Sequence, residues 1–72
     1  MSTTIADLAR ELAAQHGDDY DEALRVVTAY AIQLGVETGV QEGGQAPAVE
    51  LDAEQADHIY RAYEAGKSLE ES

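Results

Sequence analysis

The stretch Asp19-Tyr20-Asp21-Glu22-Ala23-Leu24-Arg25-Val26-Val27-Thr28-Ala29-Tyr30-Ala31-Ile32-Gln33-Leu34-Gly35 decides the fold. Tyr20, Leu24, Val27, Ala31 and Leu34 follow one another at alternating steps of four and three. That spacing lays one apolar seam along a helix. Ala23, Val26 and Tyr30 widen the seam, so this helix is expected to meet more than one neighbour. Asp19 followed by Glu22 has the order of a capping box, and the acidic first turn suits the positive end of the helix dipole. Gly35 closes the element, which gives a helix over 19–34.

Two weaker helical patterns flank it. Thr4 stands before Ile5, Leu8, Ala9, Leu12 and Ala13, which share a helical face. Thr4 is the expected N-cap, with Asp7 placed where an acid favours a helix start. Gly17 accepts the left-handed backbone that ends many helices, so this helix is expected over 4–16. Toward the other end, Asp52 with Gln55 forms a second capping-box candidate. Ala56, Ile59, Tyr60 and Tyr63 make the stripe of a helix over 52–65 that Gly66 ends. Ser68-Leu69-Glu70-Glu71 has the look of a further helix start, and 67–72 is expected as a frayed tail.

Between residues 36 and 50 the pattern breaks. Gly39, Gly43, Gly44 and Pro47 disfavour a long helix, and a glycine-containing loop is expected. Its alternative is a short hairpin in which Val36, Thr38 and Val40 are answered by Val49 and Leu51. A connection of this length is unusual in a compact domain and suggests a functional or partner-ordered segment. The fold expected is therefore all-α: a single three-helix domain over 1–66.

Composition limits the chemistry. The chain has 72 residues, with 15 acids against four bases, and a formal net charge of −11. Lys67 is its one lysine, beside Arg10, Arg25 and Arg61. Such a surface repels phosphate backbones and anionic lipid and attracts basic partners. Without cysteine there are no disulfides and no thiolate metal sites. No apolar run approaches a membrane span, and Met1-Ser2-Thr3-Thr4 lacks the basic start of a signal peptide, so a cytoplasmic protein is expected. A domain this small buries only about 60% of its unfolded surface and sits near the stability limit for a lone domain.

Site chemistry is weakly signalled. Asp18, Asp19 and Asp21 lie beside His16, but they lack the alternating ligand order and central glycine of a calcium loop; helix capping explains them more simply. Glu54 and His58 share a helix face without a recognisable substrate cleft. Ser2, Ser68 and Ser72 assemble no triad, and Gly43-Gly44 precedes no phosphate-binding lysine. His16 suits the negative end of the first helix. The tyrosines Tyr20, Tyr30, Tyr60 and Tyr63 supply core bulk in a chain without Phe or Trp, and the cations that a base-stacking platform needs are scarce. No catalytic residue, metal ligand or cofactor is expected.

The expected role is a non-enzymatic protein–protein interaction or assembly module. Self-association, first as a dimer, follows from a seam too broad for two short alanine-rich helices to cover. Leu24, Val27, Tyr30 and Leu34 are the contact candidates, joined by Ile59 and Tyr63. One alternative is an acidic inhibitor or DNA mimic that binds a basic protein. A second is a small helix-turn-helix-like regulator: Ile5 to Ala13 has the texture of a first helix, but the acidic start of the next opposes DNA except at high salt. Many acids, one lysine, no cysteine and abundant Ala, Val, Thr and Gly resemble in composition the proteins of salt-loving archaea. Molar salt shrinks the screening length to about 3 Å and makes such a surface tolerable.

Overall fold

The structure is a computed structural model that describes residues 3–41 and 43–71. Met1, Ser2, Glu42 and Ser72, which fall in the expected N-terminus, connection and tail, lie outside the described residues. The chain is mostly helical: β1 (Thr3–Thr4), α1 (Ile5–His16), α2 (Tyr20–Gln33), β2 (Glu50–Leu51) and α3 (Ala53–Glu71). The all-α expectation is corrected in one respect. β1 and β2 pair as a two-stranded antiparallel ribbon, with Thr3 opposite Leu51 and Thr4 opposite Glu50.

The ribbon completes the start of α1. The first amides of a helix have no partner within it. Here the Ile5 amide donates to the Val49 carbonyl at 2.9 Å and the Ala6 amide to the Pro47 carbonyl at 3.1 Å. The Asp7 amide donates to Thr4 Oγ1 at 3.1 Å, and the Thr4 amide donates back to Asp7 Oδ2 at 3.4 Å. Thr4 is thus the N-cap, in a reciprocal capping box with Asp7. The returning segment 47–51 supplies what the cap alone leaves open.

The other helix ends follow the same logic. Gly17 has φ 68°, and the amides of Gly17 and Asp18 both donate to the Ala13 carbonyl. Asp19 is the N-cap of α2, but its side chain makes no capping bond, so the expected capping box with Glu22 is absent. At the far end of α2, Gly35 has φ 87° and the Val36 amide donates to the Ala31 carbonyl at 3.0 Å. That left-handed exit turns Val36 back toward the core. Asp52 and Gln55 do form a capping box: the Gln55 amide donates to Asp52 Oδ1 at 2.8 Å and the Asp52 amide to Gln55 Oε1 at 3.1 Å.

One further expectation is corrected, and the hairpin alternative does not form among the described residues. Gly66 does not end α3, which runs through it to Glu71, so Ser68 caps no separate helix and 67–71 is helical rather than a frayed tail. The connection forms no hairpin among its described residues: Leu51 is in a strand, but its partner is Thr3. The connection instead turns back along α2. Gln45 Nε2 donates to the Asp21 carbonyl at 3.1 Å, and the Ala46 amide donates to Thr28 Oγ1 at 3.3 Å.

The core is built from Ile5, Leu8 and Leu12 of α1, Leu24 and Val27 of α2, and Ile59 and Tyr63 of α3, with Leu51 from β2. Small residues, Ala9, Ala13, Ala23, Ala31 and Ala46, fill the close contacts. Each fully buried Leu, Ile or Val contributes about 1.5–3 kcal/mol of transfer free energy. Leu51 and Ala46 belong to this cluster, with Val36 and Val49 packed against it, and the Ala46 amide ties the connection to α2 at Thr28.

Candidate functional surface

The sequence candidates separate into two groups. Leu24, Val27, Ile59 and Tyr63 lie in the chain's own core, between 0% and 4% exposed. Their spacing marks an apolar seam, and within one chain they belong to a single buried cluster that also holds Leu51 and Ala46. These four side chains are therefore covered within a single chain. Tyr30 is half-buried, and Leu34 is the candidate that reaches the surface, at 37% exposure.

Leu34 opens onto a groove between the end of α2 and the first half of α3. Glu54, Gln55, Asp57, His58 and Arg61 complete its walls around a cavity of about 440 Å³. The Glu54–His58 pair singled out in the sequence does meet a concave surface, but both side chains are exposed and the groove is open to solvent. Arg61 Nε lies 3.2 Å from Asp57 Oδ2 across one helical turn, a surface pair of small energetic weight.

A second constellation joins all three helices. The left-handed turn at Gly17 places Asp18 against α3. Tyr63 donates its hydroxyl to Asp18 Oδ2 at 2.5 Å, and Lys67 Nζ donates to Asp18 Oδ1 at 3.0 Å. The two side chains of the ion pair are only 25% and 17% exposed. The Lys67 ammonium also lies 5.7 Å from the Tyr63 ring centroid. The Tyr63 hydroxyl and then the Lys67 ammonium hold the Asp18 carboxyl below its ordinary 3.8; desolvation opposes them, and the charges of Lys67 and His16 add to the lowering.

His16 occupies the last turn of α1, as its charge preference suggests, and its ring packs on Tyr63 with centroids 5.4 Å apart. Its Nε2 is buried with no hydrogen-bond partner among the described residues. Nearby, Tyr60 donates its hydroxyl to Gln15 Oε1, a further tie between α3 and α1. Along the outer edge of the Asp18 cluster, Glu22, Val26, Tyr30 and Gly66 join Tyr63 and Lys67 around a smaller cavity of about 100 Å³.

Sequence reasoning missed three residues here. Asp18 was one acid among several at a helix start, and Lys67 fell in the expected tail. Thr28 is a polar residue within an apolar seam, and its spacing alone marks no partner. The Tyr63–Lys67 spacing of four was the available signal, since it puts both on one helix face. Among the described residues no group of three or more His, Asp and Glu side chains is arranged to hold a metal ion. The acids beside His16 are instead shared out: Asp18 holds Lys67, and Asp19 and Asp21 stand at the exposed start of α2. No helix of the described residues is long and apolar enough to cross a membrane. Comparison with protein-family models, curated proteins and solved structures returned no match.

Proposed function

We propose that the chain is a non-enzymatic protein-interaction module that presents an acidic exterior to a basic protein partner. One observation carries this reading: Leu24, Val27 and Ala31 of the α2 seam are buried within the chain, so charge dominates what remains outside. Acids stand exposed on every helix, at Asp7 and Glu11 of α1, Asp21 and Glu22 of α2, and Glu54, Asp57 and Glu64 of α3. Three of the four bases already stand within 4 Å of an acid: Arg10 at Asp7, Arg61 at Asp57 and Lys67 at Asp18. The surplus negative field steers and binds a cationic surface. The groove at Leu34 adds a modest apolar contact within that field.

The exposed carboxylates stand on all three helices rather than on one. This favours general attraction to a basic surface over imitation of a DNA backbone. The same distribution, with a single lysine, also suits a high-salt cytoplasm. Direct nucleic-acid binding is opposed by the charge.

The test is capture of partners at matched salt, followed by binding of the isolated partner to wild type and to the doubly neutralised Glu54→Gln/Asp57→Asn chain. The proposal expects a basic protein, bound less tightly by the neutralised chain and less tightly as KCl rises. A partner bound with no salt dependence, or an acidic one, refutes it.

A further inference from the structure

We propose that Asp18 is a latch that keeps the last turns of α3 helical, and that these turns open as a local unit when the latch is lost. The proposal begins with where the core stops. In α3 the buried apolar side chains are Ile59 and Tyr63; beyond Tyr63, Gly66 and Lys67 are half-buried and Leu69 is 78% exposed. The helix nonetheless continues to Glu71. Its continuation passes through Gly66, a residue type that weakens a helix interior, and a short helical segment has little stability of its own.

The segment is tied to Asp18. Asp18 is fixed before it meets α3. Its amide donates to the Ala13 carbonyl at 2.9 Å, and the Gly17 turn at φ 68° sets its direction. The carboxylate then accepts from Tyr63 at the last core position and from Lys67 one turn later. One acid thus spans Gly66 from both sides. The charged and titratable groups around it are His16 on α1, Tyr63 and Lys67 on α3, and Glu22 on α2 at the neighbouring cavity. Opening the segment removes Lys67 and Gly66 from that cavity. It leaves Tyr30 and Val26, which line that cavity, more open to solvent while Ile59 and Tyr63 stay packed, a change of surface made without unfolding the core.

Amide hydrogen exchange and Cα secondary chemical shifts of the full chain test this. In wild type, amides 68–71 are expected to exchange faster than those of 57–63 but to keep helical shifts. Asp18→Asn and Lys67→Met should each accelerate exchange at 68–71 by about three- to tenfold, the scale of one partly shielded charge-assisted hydrogen bond, while 57–62 hold their rates. The double variant should be no faster than the faster single one. Gly66→Ala should slow exchange, because its added Cβ meets only the Tyr30 hydroxyl at 3.4 Å. Unchanged exchange at 68–71 in both single variants overturns the proposal. So does acceleration shared equally by α1 and α2, or failure of both variants to fold, since the tie would then support the whole core.

Discussion

Thr28 and Ala46, 18 residues apart, are joined by a hydrogen bond from the Ala46 amide to the Thr28 hydroxyl at 3.3 Å. The same hydroxyl donates to the Leu24 carbonyl at 2.7 Å, one turn back on α2, and the Thr28 side chain is fully buried. A polar residue in the seam therefore serves as the anchor of the connection. Thr28→Val keeps the shape and leaves the Ala46 amide unpaired, at a cost of about 1–3 kcal/mol. Thr28→Ser should retain more of the stability. Urea unfolding of the two variants measures the difference; equal loss in both assigns Thr28 a packing role only.

Leu51 and Leu34 separate core from surface. Leu51 is 1% exposed and belongs to the connection's end, whereas Leu34 is 37% exposed at the groove. Leu51→Ala should cost about 2–5 kcal/mol. That is a large part of the total for a small domain, about 5–15 kcal/mol. Leu34→Ala should stay near about 0.5 kcal/mol. Similar losses at both positions contradict the connection as a core element.

The helices were largely legible in the sequence, and the reasons are local. The α2 seam, the Thr4–Asp7 and Asp52–Gln55 caps, and the exits at Gly17 and Gly35 each rest on residues within a turn of one another. The ribbon was not legible, because two-residue strands carry no alternation and Thr3 meets Leu51 across most of the chain. The role of the connection was hidden for a related reason. Ala46, Val49 and Leu51 carry no helical period, so nothing local says that they join the core. Gly66 misled because a tertiary tie, Lys67 to Asp18, supports the helix beyond it. Four of the six expected contact residues are core because a seam read from one helix does not reveal what covers it.

Acid should weaken the fold through Asp18. A carboxyl held below its ordinary 3.8 by Tyr63 and Lys67 stabilises the folded chain fully above that value. The contribution is lost as pH falls through the lowered folded value. The stability difference between wild type and Asp18→Asn should therefore be constant near neutral pH and shrink on acidification below 3.8. Denaturant titrations at stepped pH read it, and a difference independent of pH argues against the latch geometry.

Salt should act in the opposite direction to its usual effect on ion pairs. With a net charge of −11, screening relieves more repulsion than it removes attraction from the exposed Arg10–Asp7 and Arg61–Asp57 pairs. Thermal midpoints are expected to rise from dilute buffer to molar KCl. A fold equally stable in both removes the case for a high-salt setting.

The most direct measurement is sedimentation velocity from dilute to concentrated protein, in dilute buffer and again in molar KCl. A seam buried within one chain leaves a chain that sediments as a 7.7 kDa monomer throughout. A dimer that forms with rising concentration, and that persists in Leu34→Ala, contradicts closure of the seam and returns self-association to the centre of the protein's function.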